Sequence, residues 1–246
     1  MELKNKIVLI TGASKGIGKA TAIAFAKEGC SVIINFRSNQ KLAEDTLAEC
    51  NNYSSNNMVV QADISKESDV IKMLNNIKEK YNKLDILVNN AGIFDENDSP
   101  TSIEAFENIY KNNFLGCVMV TKYSLELMKQ GNIVNISSIH ARLGHGRPSA
   151  IAYSSFKSAL ESYSKNLAKD LAPNILVNAI APGRVATSMW GDPDEKEKIE
   201  LGQVHLIKRM IKPEEIADGV IFLTKNDAIC GEVLTIDGGM SLVTLG

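Results

Sequence analysis

The chain reads Thr11-Gly12-Ala13-Ser14-Lys15-Gly16-Ile17-Gly18 where an apolar, β-branched run gives way to a helical pattern. Glycine allows a tight turn and a close approach of the backbone to a ligand. The start of the following helix would offer free N–H groups and a positive dipole end to an anion. The spacing is Gly-x3-Gly-x-Gly instead of the common Gly-x-Gly-x-x-Gly, and a plain turn is the alternative. The strand–turn–helix context favours a pyrophosphate cradle, with the candidate residues Gly12, Ser14, Lys15, Gly16, Ile17 and Gly18.

Similar apolar runs recur along the chain and alternate with longer helical patterns. They predict strands at residues 6–11, 31–36, 58–61, 84–89, 132–137, 175–181 and 232–236, a first helix at about 16–28, and long helices at about 112–130 and 151–172. Near-continuous apolar strands separated by helices indicate a parallel sheet with helices on both faces. We therefore expect an α/β fold, namely a single Rossmann-type doubly wound domain over residues 1–246 with a seven-stranded parallel sheet. Residues 51–57 read as a surface loop, and residues 192–200 as a flap or short helix.

The composition argues against several kinds of partner. The 246 residues are 44% hydrophobic and 23% charged, with a net charge of −2, which gives no basic field for nucleic acid or an anionic membrane. The apolar runs are far shorter than the roughly 20 residues that span a bilayer. The N-terminus runs directly into the first strand, so we expect no signal peptide. The scattered Cys30, Cys50, Cys117 and Cys230 suggest reduced thiols in the cytoplasm, and no metal site is predicted.

The end of the second predicted strand bears on the choice of cofactor. An acidic residue there would bind both ribose hydroxyls of NAD. The chain instead has Asn35-Phe36-Arg37-Ser38, with no carboxylate. Arg37 could pair with a 2′-phosphate, and Lys15 in the glycine turn could reach the same place. These two cations favour NADP(H), and the alternative is that both are solvated surface charges.

A second group of residues could move a proton. Tyr153 and Lys157 are four residues apart in one helical pattern, so they point only about 40° apart, on the apolar side of the helix. An ammonium beside a phenol favours the phenolate and lowers its pKa, which suits a general acid or base. Ser138, at the end of the fifth predicted strand, could hydrogen-bond a carbonyl oxygen as charge develops on it. Taken alone, a Tyr-x3-Lys pattern is weak, because any helix can carry it by chance.

These motifs occur together with several others in a fixed order. They are Thr11-Gly12-x3-Gly16-x-Gly18, Asn89-Asn90-Ala91-Gly92, Asn113, Ser138, Tyr153-x3-Lys157, Pro182-Gly183 and Asp237-Gly238-Gly239. Over essentially its whole length the chain resembles the short-chain dehydrogenase/reductases, and among them most closely the 3-oxoacyl-(acyl-carrier-protein) reductases. The likeness to these reductases rests on three segments: Val32-Ile33-Ile34-Asn35-Phe36-Arg37-Ser38, Lys212-Pro213-Glu214-Glu215-Ile216-Ala217 and residues 231–239.

The resemblance implies a role for each matching residue. Tyr153 would be the acid/base, Lys157 would hold the nicotinamide ribose and depress the Tyr153 pKa, and Ser138 would orient the carbonyl. Asn113 would hold a water in a proton relay. The remaining cofactor contacts implied are Asp63 at the adenine, Asn89, Ala91 and Gly92 at the adenine ribose, and Pro182, Gly183 and Thr187 at the nicotinamide. For residues 89–92 a structural turn at the strand end is an alternative, and both roles are compatible.

The implied activity is NADPH-dependent reduction of a ketone to a secondary alcohol, with a 3-oxoacyl thioester as the first candidate substrate. An alcohol, sugar or polyol dehydrogenase, or a ketoreductase of secondary metabolism, is the alternative on the same fold. A non-catalytic nucleotide-binding protein is a third hypothesis, and the presence of the complete proton-transfer set argues against it. The resemblance also implies a homodimer or homotetramer formed through the two long helices.

Four features depart from the reductase pattern. The segment at residues 140–148 is about two residues longer than usual, and its His140, Arg142, His145 and Arg147 could bind an anionic substrate group or simply be solvated. Only Lys129 remains of the basic residues expected to dock an acyl carrier protein, which leaves a weak patch. Phe156 stands where a small residue is commoner, and would pack a subunit interface or narrow the pocket. Trp190 would cover the substrate or fill an apolar gap.

Overall fold

A computed structural model describes residues 1–142, 150–191 and 194–243. Its centre is a seven-stranded, all-parallel sheet in the order β3-β2-β1-β4-β5-β6-β7. The strands are β1 Ile7–Ile10, β2 Ser31–Phe36, β3 Met58–Gln61, β4 Ile86–Asn89, β5 Gly131–Ile136, β6 Ile175–Pro182 and β7 Val233–Ile236. Each lies within about two residues of a predicted strand, which confirms the doubly wound α/β fold.

Two helical layers cover the sheet, as the near-continuous apolar strands require. The helices are α1 Gly16–Lys27, α2 Gln40–Cys50, α3 Glu67–Tyr81, α4 Ile103–Ile109, α5 Gly116–Ser124, α6 Ile151–Leu171, α7 Glu195–Gly202 and α8 Pro213–Lys225. Helices α1, α2 and α8 pack on one face, with Phe25 fully buried at its centre. Helices α3, α5 and α6 pack on the other face, around the fully buried Met73 and Ile77. In the part of the chain that is described, no helix is long and apolar enough to cross a membrane.

The order of the strands fixes where a ligand can bind. The chain passes from β1 outward to β2 and β3, then returns to place β4 on the other side of β1. The connection after β1 and the connection after β4 run in opposite directions. They leave a crevice beyond the carboxyl ends of these two strands, where open α/β sheets bind their ligands. The glycine turn that begins at Gly12 and the turn at Ala91 and Gly92 therefore face each other.

One predicted helix differs from its observed form. The sequence predicts a helix at about 112–130, whereas α4, a π-helical turn at Tyr110–Leu115 and α5 form one continuous rod that begins at Ile103 and ends at Ser124. Ser102 caps its start, because its side chain accepts a hydrogen bond from the N–H of Ala105. The π turn contains one of the predicted site residues, Asn113.

Candidate active site

A cleft of about 540 Å³ runs along the carboxyl edge of the sheet and collects nearly all of the predicted site residues. The predicted residues that line it are Gly12, Ser14, Lys15, Gly16, Ile17, Arg37, Asp63, Ala91, Gly92, Ser138, Tyr153, Lys157, Pro182, Gly183 and Thr187. Gly18, Asn89 and Asn113 are not among the lining residues. The motifs are far apart in sequence and meet here because each follows a strand of the same parallel sheet.

The glycine turn has the geometry that a phosphate cradle needs. Gly12 and Gly16 have positive φ angles of 63° and 57°, which favour glycine. A Cβ atom at Gly12 would come within 3.0 Å of the Ala91 backbone. Within the described structure no side chain caps the N-terminus of α1, so its first N–H groups point at the cleft with the positive dipole end. These features fit a dinucleotide pyrophosphate.

Polar side chains behind this turn hold its shape, and sequence reasoning missed them. Asn35 is buried, and its Oδ1 accepts a hydrogen bond of 3.2 Å from the Gly12 N–H. Asn90 donates from Nδ2 to the Thr11 and Gly12 carbonyls at 2.8 and 3.2 Å. Gly18 supports the turn by its small size, since a Cβ there would lie 2.5 Å from the Gly12 carbonyl oxygen. Gly18 therefore allows close packing of α1, as the third glycine of such turns does.

Asn89 was expected at the adenine ribose, and its side chain takes part in the sheet instead of lining the cleft. Asn89 is buried in the sheet, and its Nδ2 donates to Asn135 Oδ1 at 2.9 Å and to Thr121 Oγ1 at 3.1 Å. These bonds join β4, β5 and α5. At this position, the alternative of a structural turn at the strand end describes the side chain, while Asn90 to Gly92 line the cleft.

Lys157 lies on the buried side of α6, in the same sector as Tyr153. Its side chain is almost fully enclosed, and its Nζ donates a 2.7 Å hydrogen bond to the Ile136 carbonyl. The Nζ atom lies 5.8 Å from the centroid of the Tyr153 ring. Burial penalises the charged form and lowers the pKa of Lys157 to about 8. The helix thus places a titratable ammonium beside a phenol, as the four-residue spacing predicts.

Ser138 completes the group from the end of β5. It caps the 3₁₀ turn Ile139–Ala141, since its Oγ accepts a 3.2 Å hydrogen bond from the His140 N–H. The rings of Phe94 and His140 both stand edge-on to the Tyr153 ring, at centroid distances of 5.8 and 6.2 Å. A carbonyl in this part of the cleft would therefore meet a serine hydroxyl and a phenol, with the rings of Phe94 and His140 beside them.

Asn113 lies behind this group rather than on the cleft surface. Its Oδ1 accepts from the Ile93 N–H at 2.7 Å, and its Nδ2 donates to the Ile93 carbonyl at 2.8 Å. A Cβ at Gly92 would approach both Asn113 Oδ1 and Lys157 Nζ, at 3.3 and 3.7 Å. The π turn therefore fixes the wall of the cleft next to the buried lysine, while the water relay stays a prediction.

Asp98 is a further residue that sequence reasoning missed. Its carboxylate is buried and accepts hydrogen bonds from the N–H groups of Ala152 at 2.9 Å and Tyr153 at 3.0 Å. It therefore caps the N-terminus of α6, the helix that carries both candidate proton-transfer residues. A short polar segment, residues 95–99, gives no periodic signal that would assign it to this helix from 50 residues away.

The two ends of the cleft differ in chemistry. At the end near β2, Lys15 and Arg37 are exposed cations, and Asp63 receives hydrogen bonds from the N–H and hydroxyl of Ser65. At the other end the described lining includes the apolar side chains Ile93, Phe94, Ile139, Met189, Trp190 and Met240. The Arg184 guanidinium lies 5.3 Å over the Trp190 ring. Trp190 therefore lines the cleft and packs against Arg184.

The structure also resolves two of the departures noted in the sequence. Within the 140–148 segment, His140 lines the cleft, Arg142 is bound to Glu161, and His145 and Arg147 fall outside the described residues. Phe156 does not line the cleft, and it packs instead against Phe106 and Tyr110 at ring-centroid distances of 4.8 and 5.2 Å. It therefore does not narrow the pocket.

Comparisons with known proteins find relatives over nearly the whole chain. The chain is similar to Glucose 1-dehydrogenase 2 of Bacillus subtilis, at 34% identity over 98% of this chain and 96% of the relative. It is also similar to the 3-oxoacyl-(acyl-carrier-protein) reductase of Aquifex aeolicus, at 36% identity over 98% of this chain and 99% of the relative. A mutant of a Serratia marcescens short-chain dehydrogenase/reductase has a similar solved structure, with a TM-score of 0.91, 29% identity, and coverage of 98% and 100% of the two chains.

The family profile described as short chain dehydrogenase matches residues 6–198. That range contains the glycine turn, the strand-end residues and the serine, tyrosine and lysine that meet in the cleft. On the profile match and the near-full-length relatives together, this chain is a member of the short-chain dehydrogenase/reductase family, similar to its 3-oxoacyl-(acyl-carrier-protein) reductases, and is an oxidoreductase that acts on an alcohol or carbonyl group with a nicotinamide cofactor.

Proposed function

We propose that the protein reduces a ketone to a secondary alcohol with NADPH, and that its substrate is a 3-oxoacyl thioester. The observation that carries the proposal is that Ser138, Tyr153 and Lys157 meet in a cleft with a phosphate cradle at one end and apolar walls at the other. A bound nicotinamide supplies the hydride. Tyr153 donates the proton to the carbonyl oxygen, and Ser138 hydrogen-bonds that oxygen as its charge grows.

The preference for NADP(H) is proposed from the charges near the ribose. Lys15 and Arg37 line that end of the cleft together with Ser38 and Asn39. Asp63, the one carboxylate among the described lining residues, belongs to the adenine side by resemblance. An arginine is suited to a 2′-phosphate, whereas a carboxylate at the end of β2 would be needed for two ribose hydroxyls.

The substrate class is proposed from the walls of the cleft. Phe94, Met189, Trp190 and Met240 form an apolar surface that suits an acyl chain better than a sugar, whose hydroxyls need polar partners. Lys129 is exposed and would form only a weak basic patch for an acyl carrier protein, so a coenzyme A thioester is an equally suitable form of the substrate.

A sugar or polyol dehydrogenase, or another alcohol dehydrogenase or ketoreductase, is the second candidate. Its specific support is the similarity to a protein named Glucose 1-dehydrogenase 2, at an identity close to that of the reductase. Ser138, Tyr153 and Lys157 would serve this reaction equally well in the oxidative direction, because proton transfer by Tyr153 is reversible. Which of the two substrates fits depends on the side chains that line the substrate end of the cleft.

The assembly and location are proposed on separate grounds. An aromatic cluster (Phe106, Tyr110, Phe114, Phe156 and Tyr163) lies along α4, the π turn and α6, with Phe106 44% exposed. We propose that this face joins copies of the chain into a homodimer or homotetramer. The four cysteines are free, which supports a reducing, cytoplasmic location.

The test is the oxidation of NADPH with acetoacetyl-coenzyme A, beside a panel of small ketones and the reverse oxidation of glucose and other polyols. We expect turnover of the thioester to exceed that of every other compound. Faster turnover of a sugar would transfer the protein to the second candidate. We expect Arg37→Ser to weaken NADPH by roughly tenfold, about 1.4 kcal/mol, with little change in NADH. Equal weakening of both cofactors would contradict the assignment of NADP(H).

A further inference from the structure

We propose that Arg142 and Glu161 are positioning residues for this reaction, because together they fix the short segment that presents Ser138 to the substrate. The inference rests on the proposed carbonyl reduction and adds two residues to its machinery. Neither touches the reacting atoms. They act through Ser138, whose hydroxyl must meet the carbonyl oxygen at hydrogen-bond distance.

The guanidinium of Arg142 hydrogen-bonds three groups of the protein. Its Nε donates to Glu161 Oε2 on α6 at 3.0 Å. One terminal nitrogen donates to Thr235 Oγ1 at 2.8 Å, and the other donates to the Val233 carbonyl at 2.8 Å, so both reach β7. Since each of its three nitrogens binds a protein oxygen, this side chain serves the fold rather than an anionic substrate group.

Glu161 connects the Arg142 guanidinium to α6 and to Ser137, which directly follows β5. It follows Lys157 by one helical turn, and its side chain is only 9% exposed. Its second oxygen, Oε1, lies 3.1 Å from the Ser137 hydroxyl, which also lies 3.3 Å from the Lys157 carbonyl. A buried carboxylate requires such partners, and removal of one partner leaves its charge uncompensated.

The hydrogen bonds of Arg142 and Glu161 hold the chain on both sides of Ser138, the residue proposed to bind the carbonyl. Ser138 lies between Ser137, which contacts Glu161, and the 3₁₀ turn Ile139–Ala141, which Arg142 ends. The Ser138 Oγ is held by the His140 N–H of that turn. A shift of the turn would therefore move Oγ relative to Tyr153 and Lys157 on α6. A misplacement of 1 Å can reduce turnover by about 100-fold.

The test compares Arg142→Met and Glu161→Gln with wild type in NADPH-dependent reduction of whichever carbonyl compound the enzyme turns over. We expect kcat to fall about tenfold in each, with KM and the NADPH dissociation constant within about twofold of wild type, because orientation and not binding is lost. The pH dependence of kcat should keep its midpoints, since Tyr153 and Lys157 remain in place. Lys225→Met, which breaks the remote ion pair with Glu28, is the control and should retain full kcat.

A double variant separates positioning from mere support of the fold. If Arg142 acts through Ser138, the loss from Arg142→Met should largely disappear in a Ser138→Ala background. Independent, multiplicative losses would overturn the proposal, and so would a lowered melting temperature with unchanged kcat.

One readout does not depend on activity. Amide hydrogen exchange of the peptide that contains Ser138 and His140 should speed up about tenfold in Arg142→Met and stay unchanged in Lys225→Met. Unchanged exchange in Arg142→Met would also overturn the proposal. If the wild type reduces none of the carbonyl compounds but Arg142→Met still exchanges faster, the proposed function is refuted. The contact by which Arg142 holds the Ser138 segment would remain supported.

Discussion

At the scale of single residues, Lys157 is a charged side chain buried beside the candidate acid/base Tyr153. The side chain is 4% exposed, and its Nζ has the Ile136 carbonyl as a hydrogen-bond acceptor. Burial lowers its pKa from 10.5 to about 8. The unfolded chain therefore holds this proton more tightly than the folded protein does. The buried ammonium should therefore destabilise the fold at neutral pH, a cost that its proposed role beside Tyr153 would explain.

The sign of this effect gives a testable prediction for Lys157→Met. Below pH 8 both states bind the proton, and the full destabilisation, up to about 3 kcal/mol, is present. Between pH 8 and 10.5 only the unfolded state still binds it, so the destabilisation disappears as the pH rises. After loss of the hydrogen bond to Ile136, worth about 1 kcal/mol, we expect the variant to melt roughly 2–8 °C above wild type at pH 7.

The gain should vanish near pH 10.5, while activity falls at least about 100-fold at all pH values. Thermal melts of the cofactor-free proteins across this range provide the measurement. Lys129→Met is the matched control: Lys129 is exposed and Lys157 is still present, so this variant should melt at the wild-type temperature at every pH. A variant that melts below wild type at pH 7 would show that the ammonium is stabilising.

Single residues also differ in how far a sequence can predict them. Tyr153 and Lys157 were predictable because the four-residue spacing places them on one face of one helix. Asp98, Arg142 and Glu161 were not, because each acts through a contact with a distant part of the chain. The hydrogen bond from Arg142 to Thr235, for example, joins residues 93 positions apart. Spacing carries no information about such pairs.

At the scale of elements, α6 carries both candidate proton-transfer residues, Tyr153 and Lys157. Asp98 caps this helix through two N–H groups, one of them that of Tyr153 itself. The carboxylate also complements the positive end of the helix dipole. The cap therefore fixes the first turn of α6, which carries Tyr153, relative to the wall of the cleft that contains Phe94.

Replacement of Asp98 by alanine should affect both stability and turnover. We expect a loss of about 1–2 kcal/mol in the free energy of unfolding, and a melting temperature lower by roughly 2–8 °C. We also expect kcat to fall about tenfold at a temperature where the variant is folded, because the first turn of α6 loses its anchor. Ser102→Ala, which removes the cap of α4, is the control and should lower stability without a comparable loss of kcat. Equal kcat losses in both variants would contradict a specific role for Asp98.

Elements also show where sequence patterns stop being informative. The bounds of α6 agree with the predicted helix because apolar positions recur regularly along it. The predicted helix at 112–130 was displaced because the π turn at Tyr110–Leu115 interrupts the 3.6-residue period. The apolar stripe changes phase at such a turn, so the sequence pattern assigns the helix only to its clearer second half. The interruption coincides with Asn113, which binds the backbone of Ile93.

At the scale of the whole molecule, the strand order explains why residues so far apart in sequence form one site. Because β1 and β4 are neighbours, the loops after them meet beyond the same edge of the sheet, and the loops after β5 and β6 extend that edge. The alternation of apolar runs predicted this architecture. That alternation does not predict the substrate, because substrate choice on such folds rests with the loops, and here Met189 and Trp190 of the loop after β6 line the cleft.

The outer face of the molecule gives the last prediction. Phe106 is 44% exposed at the edge of the aromatic cluster, and Ile103, about one turn earlier on α4, is 70% exposed. Aromatic and aliphatic groups gathered on one helical face mark a contact between proteins more often than an idle surface. We therefore expect the wild type to be a dimer or tetramer at micromolar concentration, and Phe106→Arg to shift it toward monomer, because a charge in the interface would lose its hydration. Light scattering coupled to gel filtration measures this mass directly. Tyr53→Arg, at a site 54% exposed in the loop after α2, is the control and should leave the mass unchanged. A monomeric wild type, or an oligomer that Phe106→Arg leaves intact, would place the contact elsewhere or remove it.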